Sequence, residues 1–179
     1  MGYALFPLLG LWAWGIMWTH YAYGGLRIAS GTLTRNPTYS TITMWFVLAF
    51  ILLHPGILIY EQWSRNDLLP PESFYSFVGP NMKQYVVLGL VALITFLLYD
   101  IVLRFKNHRT IQKLWFWISL SQMVAMVLIF IHGLNLGQNL QHGWLQFYWV
   151  VLGALLLPCF VLVGIEDWRQ HQIIKKTRS

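Results

Sequence analysis

TITMWFVLAFILLHPGILIY (residues 41–60) and LWFWISLSQMVAMVLIFIHGL (residues 114–134) decide how this chain is read. Each run is about twenty apolar residues, the length at which a helix crosses a hydrocarbon core of roughly 30 Å. Each also holds one histidine, His54 in the first and His132 in the second. An ionisable side chain at membrane depth is costly, so it marks a functional site by default.

The rest of the composition agrees with a membrane chain. Of the 179 residues, 57% are hydrophobic, 17% aromatic and 10% charged. A soluble domain carries about 25% charged residues, so this chain has too few to coat a water-facing surface. The expected fold is all-α: one polytopic membrane helix bundle filling residues 1–179, with a lipid bilayer as its partner. Five spans are expected, at about 3–24, 40–60, 84–103, 114–136 and 144–165. Aromatic residues cluster near their ends as interfacial anchors do: Trp12 and Trp18, Tyr60 and Trp63, Trp115 and Trp117, Trp144 and Trp168. Residues 61–83 form an outer loop and 166–179 a basic cytoplasmic tail. No internal repeat, low-complexity stretch or linker is evident. Cys159 is the one cysteine, which excludes an internal disulfide and a multi-cysteine metal site, and its apolar setting points to a buried thiol. The opening MGYALFP has no basic segment before its apolar stretch, so a cleaved signal peptide is not expected. Phe6 stands where a myristoylation signal needs Ser or Thr.

A net charge of +6 suggests nucleic acid at first sight, but the basic residues sit in short loops. Arg27 and Arg35 follow the first span. Arg104, Lys106, Arg109 and Lys113 follow the third. Arg169, Lys175, Lys176 and Arg178 lie in the tail. Those ten of the twelve Lys and Arg residues fall on one side of a five-span chain. The positive-inside rule then puts the N-terminus outside and the C-terminus in the cytoplasm, in a plasma or inner membrane, with no nucleic-acid partner. Asp100 and Arg104, one turn apart, are expected to pair.

That orientation also sets the depth of the two histidines. Both lie on helices running from inside to outside, roughly 6–9 Å below the outer boundary at 1.5 Å per residue. Two imidazoles at matched depth on parallel helices can hold one metal between them. Ala125 and Ser121, seven and eleven residues before His132, fall near its side of the helix, and Gly133 and Gly137 adjoin it; small residues there make room for a macrocycle. Pro55 loosens the helix beside His54 and frees a carbonyl about one turn earlier. The plain alternative is that both histidines hydrogen-bond between helices. His20, His108, His142 and His171 are expected in interfacial or solvated roles; His142 is nearest the site, close to Asn135 and Asn139.

FILLHPG (50–56) and KLWFWISLSQMVAMVLIFIHGLNLG (113–137) resemble the ferric-reductase-like transmembrane domain, the family of NADPH oxidase membrane parts, STEAP-type metalloreductases and the haem subunit of bacterial methionine-sulfoxide repair. The resemblance spans roughly residues 5–165. It implies haem b ligated by His54 and His132, with Ser121, Ala125 and Gly133 beside it. Two-haem members carry a second histidine fourteen positions away on each helix, about 21 Å. Here Ser40 and Ile118 stand at those positions, so one haem, in the outer leaflet, is expected. Such members commonly have six helices, where five are expected here. No Gly-rich nucleotide fingerprint follows a strand, so NAD(P)H oxidation falls to a partner reductase. FAD, FMN or quinone is expected at the cytoplasmic side, near Arg27, Arg104 and Arg109. The function implied is an oxidoreductase-type electron-transfer subunit. The alternatives are a b561-like quinol oxidoreductase, a cofactor-free scaffold or assembly subunit, and a small transporter, against which stands the near absence of charge within the spans.

Overall fold

Backbone groups in hydrocarbon have nothing to bond but one another, which favours continuous helix. The computed structural model describes residues 2–31 and 37–176, with side chains for 5–31 and 37–173, and all its regular elements are helical. They are α1 (Gly2–Ser30), α2 (Pro37–Asn66), α3 (Glu72–Tyr75), a 3-10 turn (Pro80–Met82), α4 (Lys83–Arg104), α5 (Arg109–Leu136), a 3-10 turn (Gln138–Leu140) and α6 (Trp144–Lys176).

The five long helices overrun the apolar stretches. α2 continues past Tyr60 to Asn66, and α6 runs through most of the expected tail to Lys176. Leaving the apolar zone does not end a helix, because i→i−4 bonding continues and polar side chains support it. Arg65 Nε donates to Glu61 Oε2 at 2.9 Å, and Gln170 Nε2 to Glu166 Oε1 at 2.9 Å, each one turn apart. α2 stops where Asp67 takes φ 53°, a left-handed conformation that Asp tolerates. α2 also runs unbroken through Pro55. The expected Asp100–Arg104 pair does not close to contact distance; Arg104 acts on Asp100 only at longer range.

Among the described residues, four helical spans are long and apolar enough to cross a membrane: Pro37–Asn66, Pro80–Arg104, Arg109–Leu136 and Trp144–Ile173. Large apolar side chains cover their outer faces, among them Phe46, Leu52, Ile94, Leu98, Leu157 and Val161. A surface that apolar fits a bilayer and not water. α1 has the length, and its sequence is rich in Trp, Tyr and Gly. It is the central helix, packed along α2 and α6 and touching α5. Phe6, Leu9, Ala13, Trp14 and Met17 point from it into the core, so its sequence answers to neighbouring side chains more than to lipid.

α5 packs along α4 on one side and α6 on the other. The order around the bundle is therefore α2–α1–α6–α5–α4. Trp14, Met17, Ile51, Phe96, Met126 and Leu156 fill the core. Polar links tie the helices crosswise: Trp18 Nε1 donates to Leu152 O (2.8 Å) and Gln122 Nε2 to Thr95 O (3.1 Å). Cys159 is half-buried against Gly25, whose missing Cβ lets α1 and α6 approach. A Cβ on Gly153 would lie 2.4 Å from the Phe130 ring. Gly153→Ala should therefore lower stability by roughly 1–3 kcal/mol through overpacking. Gly15→Ala, with nothing within 4 Å of the new Cβ, should not. Thermal unfolding of the two variants in detergent checks the contrast.

Candidate functional site

His54 projects from α2 toward α1, and His132 from α5 toward α4. His54 Nδ1 lies 2.6 Å from the Phe6 carbonyl oxygen, and His132 Nδ1 lies 2.8 Å from the Tyr85 carbonyl oxygen. A carbonyl only accepts, so each Nδ1 carries the proton and donates. In a neutral imidazole the lone pair then sits on Nε2. Neither Nε2 makes a hydrogen bond among the described residues.

The two ring centres are 6.3 Å apart and the ring planes 81° apart. That separation exceeds a direct ring-to-ring hydrogen bond and falls within the range of edge-to-face ring contacts. Rings joined by a direct N–H···N bond of about 2.9 Å would have centres roughly 5 Å apart. An imidazole nitrogen sits about 2.0–2.1 Å from a first-row metal ion, so two rings flanking one ion in line have centres roughly 6–6.5 Å apart. The observed spacing has room for one atom between the rings and equally fits an edge-to-face contact. No group of three or more His, Cys, Asp or Glu gathers anywhere among the described residues.

Both rings line a cavity of about 570 Å³ between α1, α2, α4 and α5, within the roughly 300–1,000 Å³ typical of ligand sites. Its walls are apolar, with Leu11, Ile51, Leu58, Leu90, Leu93 and Ile129. Its floor includes Trp14 and Trp149, whose ring centres lie 4.0 Å apart with the planes tilted by 33°. Trp14 Nε1 is buried with no hydrogen-bond partner, a donor left over at the floor. At the other end, Phe74–Val78 from the loop after α2 and Gln138–Leu140 after α5 close over the cavity. Gln62 is only 5% exposed; its Oε1 accepts from Asn66 Nδ2 (2.9 Å) and Ser76 Oγ (3.4 Å), and Phe6 meets Phe77 edge-on at 5.2 Å. These contacts fasten the loop over the histidine end.

Gly133 lines this cavity, and a Cβ there would lie 2.9 Å from Trp149. Gly137 lines it too. Ala125 is buried in the packed core below and does not line it. Ser121 is exposed, and its hydroxyl bonds back to Ile118 O on its own helix. Eleven residues is about 16 Å along a helix, so Ser121 has left the level of the cavity. Arg27, Arg104 and Arg109 are exposed at the opposite end and line no cavity. A smaller cavity of about 350 Å³ there is bounded by Lys106, Trp115, Phe116, Asp167 and His171 instead. Arg35 and Arg178 lie outside the described residues, and so do the side chains of Lys175 and Lys176. His20 Nε2 is 2.7 Å from Thr43 Oγ1, an α1–α2 link. His108 is exposed ahead of α5, and His142 is exposed outside the main cavity, although nearby Gln138 and Asn139 line it.

Sequence reading missed Gly10 and Gly89. A Cβ on Gly10 would stand 3.0 Å from His54 Cε1, and one on Gly89 would stand 2.4 Å from His132 Nδ1. The available signal was a lone glycine in an otherwise bulky apolar helix, in LLGLW and VLGLV.

No family model matches the chain, and neither a curated protein nor a solved structure does.

The site geometry has a direct test in the protein without added ligand. Nitrogen-15 NMR of histidine-labelled protein should show His54 and His132 as Nδ1–H tautomers. Nε2–H tautomers would contradict the two carbonyl contacts.

Proposed function

We propose that this protein is a membrane electron-transfer subunit that carries one haem b between His54 and His132. The paired imidazoles support this best: both rings line one apolar cavity with centres 6.3 Å apart, each Nδ1 is held by a carbonyl and each Nε2 keeps its lone pair. When bound, the haem iron supplies one-electron oxidation and reduction. His54 and His132 would hold it through Nε2, and bis-histidine ligation would favour electron transfer over binding oxygen. Phe6 and Tyr85 carbonyls accept from the ring N–H groups, which strengthens the imidazoles as donors. Leu11, Ile51, Leu93 and Ile129 exclude water and keep the local dielectric low, which raises the cost of charge at the iron and so tunes its potential.

In this reading α1 spans the membrane with the four apolar helices, the histidine end faces outward and the C-terminus is cytoplasmic. The exposed Arg27, Arg104 and Arg109 form a basic surface for an electron donor, a reductase or a flavin- or quinol-bearing partner. The acceptor lies on the outer side. The likeness of residues 50–56 and 113–137 to the ferric-reductase-like domain points the same way. A second reading, a cofactor-free scaffold, draws on the same two hydrogen bonds, since each histidine already ties one helix to its neighbour.

Reduced-minus-oxidised spectra of haem-supplemented protein separate the two. The haem reading expects a b-type α-band, one haem per chain, and loss of low-spin haem in His54→Ala and in His132→Ala. Folded protein without haem supports the scaffold, and two haems per chain contradict the single site. Topology is checked independently: single cysteines placed in residues 67–79, in a Cys159→Ser background, should label from outside intact cells, and a C-terminal reporter should be active in the cytoplasm. The reverse pattern would invert the orientation.

A further inference from the structure

The two histidines are received in the same way. Phe6-Pro7-Leu8-Leu9-Gly10 on α1 meets His54, and Tyr85-Val86-Val87-Leu88-Gly89 on α4 meets His132. In each case an aromatic residue supplies the accepting carbonyl, and a glycine four positions later lies against the ring. The accepting residue and its histidine are 48 positions apart in the first case and 47 in the second. α1 and α4 both begin at the histidine end, and α2 and α5 both return to it. The α1–α2 and α4–α5 hairpins thus carry the same unit in the same chain direction. α6 lies outside the two hairpins and packs on α1 and α5. The linear sequence shows no repeat because the shared unit consists of one aromatic residue, one glycine and one histidine per hairpin.

The glycine spacing has a physical reason. In a helix the carbonyl of residue i already accepts from the N–H of residue i+4. The Cβ of residue i+4 tilts toward the helix N-terminus and covers the turn before it, which holds that carbonyl. Glycine at i+4 leaves the second lone pair open to an incoming donor. The distances agree: a Cβ on Gly89 would sit 2.4 Å from His132 Nδ1 and 2.6 Å from Cε1, and one on Gly10 would sit 3.1 Å from His54 Nδ1.

We infer that the chain holds its two metal-facing imidazoles with two copies of one aromatic-x-x-x-Gly unit, and that Gly10 and Gly89 are positioning residues that fix the tautomer and aim of His54 and His132. The spectroscopic consequences rest on the haem reading above; the tautomer does not. A backbone carbonyl cannot be removed by changing a side chain, so the glycines are the direct genetic handle on both hydrogen bonds.

The test uses the full chain in detergent with four variants. Gly89→Ala should push His132 off its carbonyl, convert low-spin haem largely to a high-spin form and weaken haem retention by about ten-fold or more, the scale seen when a metal ligand loses its hydrogen-bond partner. Gly10→Ala, with a milder clash, should show a smaller change of the same kind and a shifted midpoint potential. Gly15→Ala and Gly153→Ala are the controls: the first touches nothing, and the second disturbs packing at Phe130 without touching either ring. Both should keep the low-spin spectrum. In ligand-free protein, Gly89→Ala should abolish the Nδ1–H signature of His132 and leave that of His54. If Gly89→Ala does not fold, Gly10→Ala and the His54 signature carry the same test. The inference is overturned if a folded Gly89→Ala or Gly10→Ala variant keeps the wild-type spectrum, potential and tautomers, or if Gly153→Ala changes them equally. If the wild type takes up no haem, the functional reading fails, while the tautomer comparison still decides the role of the glycines.

Discussion

The hydrogen bond from each imidazole Nδ1–H to a helical carbonyl is the constraint on which the rest of the site depends. A polar N–H left unpaired in a low-dielectric interior costs about 1–3 kcal/mol, so a histidine at this depth needs an acceptor. Side-chain acceptors are scarce in these apolar helices, and the carbonyls of Phe6 and Tyr85 fill the role. Using a helical carbonyl requires its cover to be removed, which places Gly10 and Gly89. Each bond also ties neighbouring helices together, α1 to α2 and α4 to α5. With Nδ1 committed to a carbonyl on both sides, each ring keeps its Nε2 lone pair, and both rings line the cavity. Tautomer, ring spacing and helix pairing follow from one contact made twice.

The bundle is divided along its length. At the histidine end the core opens into a cavity covered by the loop after α2 and the turn after α5. Below the Trp14–Trp149 contact, Met17, Met126 and Leu156 close the core. At the far end Thr43 and His20 pair near Tyr39, and the hydroxyl of Ser119 pairs with Asp167. The levels of Ser40 and Ile118 therefore belong to a locally hydrogen-bonded region, beside the smaller cavity at Trp115 and Phe116.

Much of the architecture is legible in the sequence, because long apolar runs leave few alternatives to helix. The helix ends are not, since Glu61–Arg65 and Glu166–Gln170 sustain helix beyond the apolar runs. Four helices show spanning character in composition alone; α1 carries many Trp, Tyr and Gly residues among its apolar ones. His54 and His132 stand out as letters, and the structure brings them together. Ser121 illustrates the limit of helical periodicity: spacing gives a face but not a depth. The basic residues show a different limit, because charge counted along a chain does not say whether Arg27, Arg104 and Arg109 form a pocket; here they form an open surface. Gly10, Gly89 and the two carbonyls escaped notice for a further reason. A carbonyl has no letter, and a single glycine in an apolar helix reads equally as a packing residue.

The central claim is that the two rings flank one iron at nearly a right angle. Electron paramagnetic resonance of the oxidised, haem-supplemented protein tests it most directly, because the low-spin ferric signal depends on the angle between axial imidazole planes. With ring planes 81° apart, the account predicts the strongly anisotropic low-spin signal, dominated by one large g value, of perpendicular imidazoles. A high-spin signal, the rhombic signal of parallel imidazoles, or no haem signal from a folded sample would contradict it.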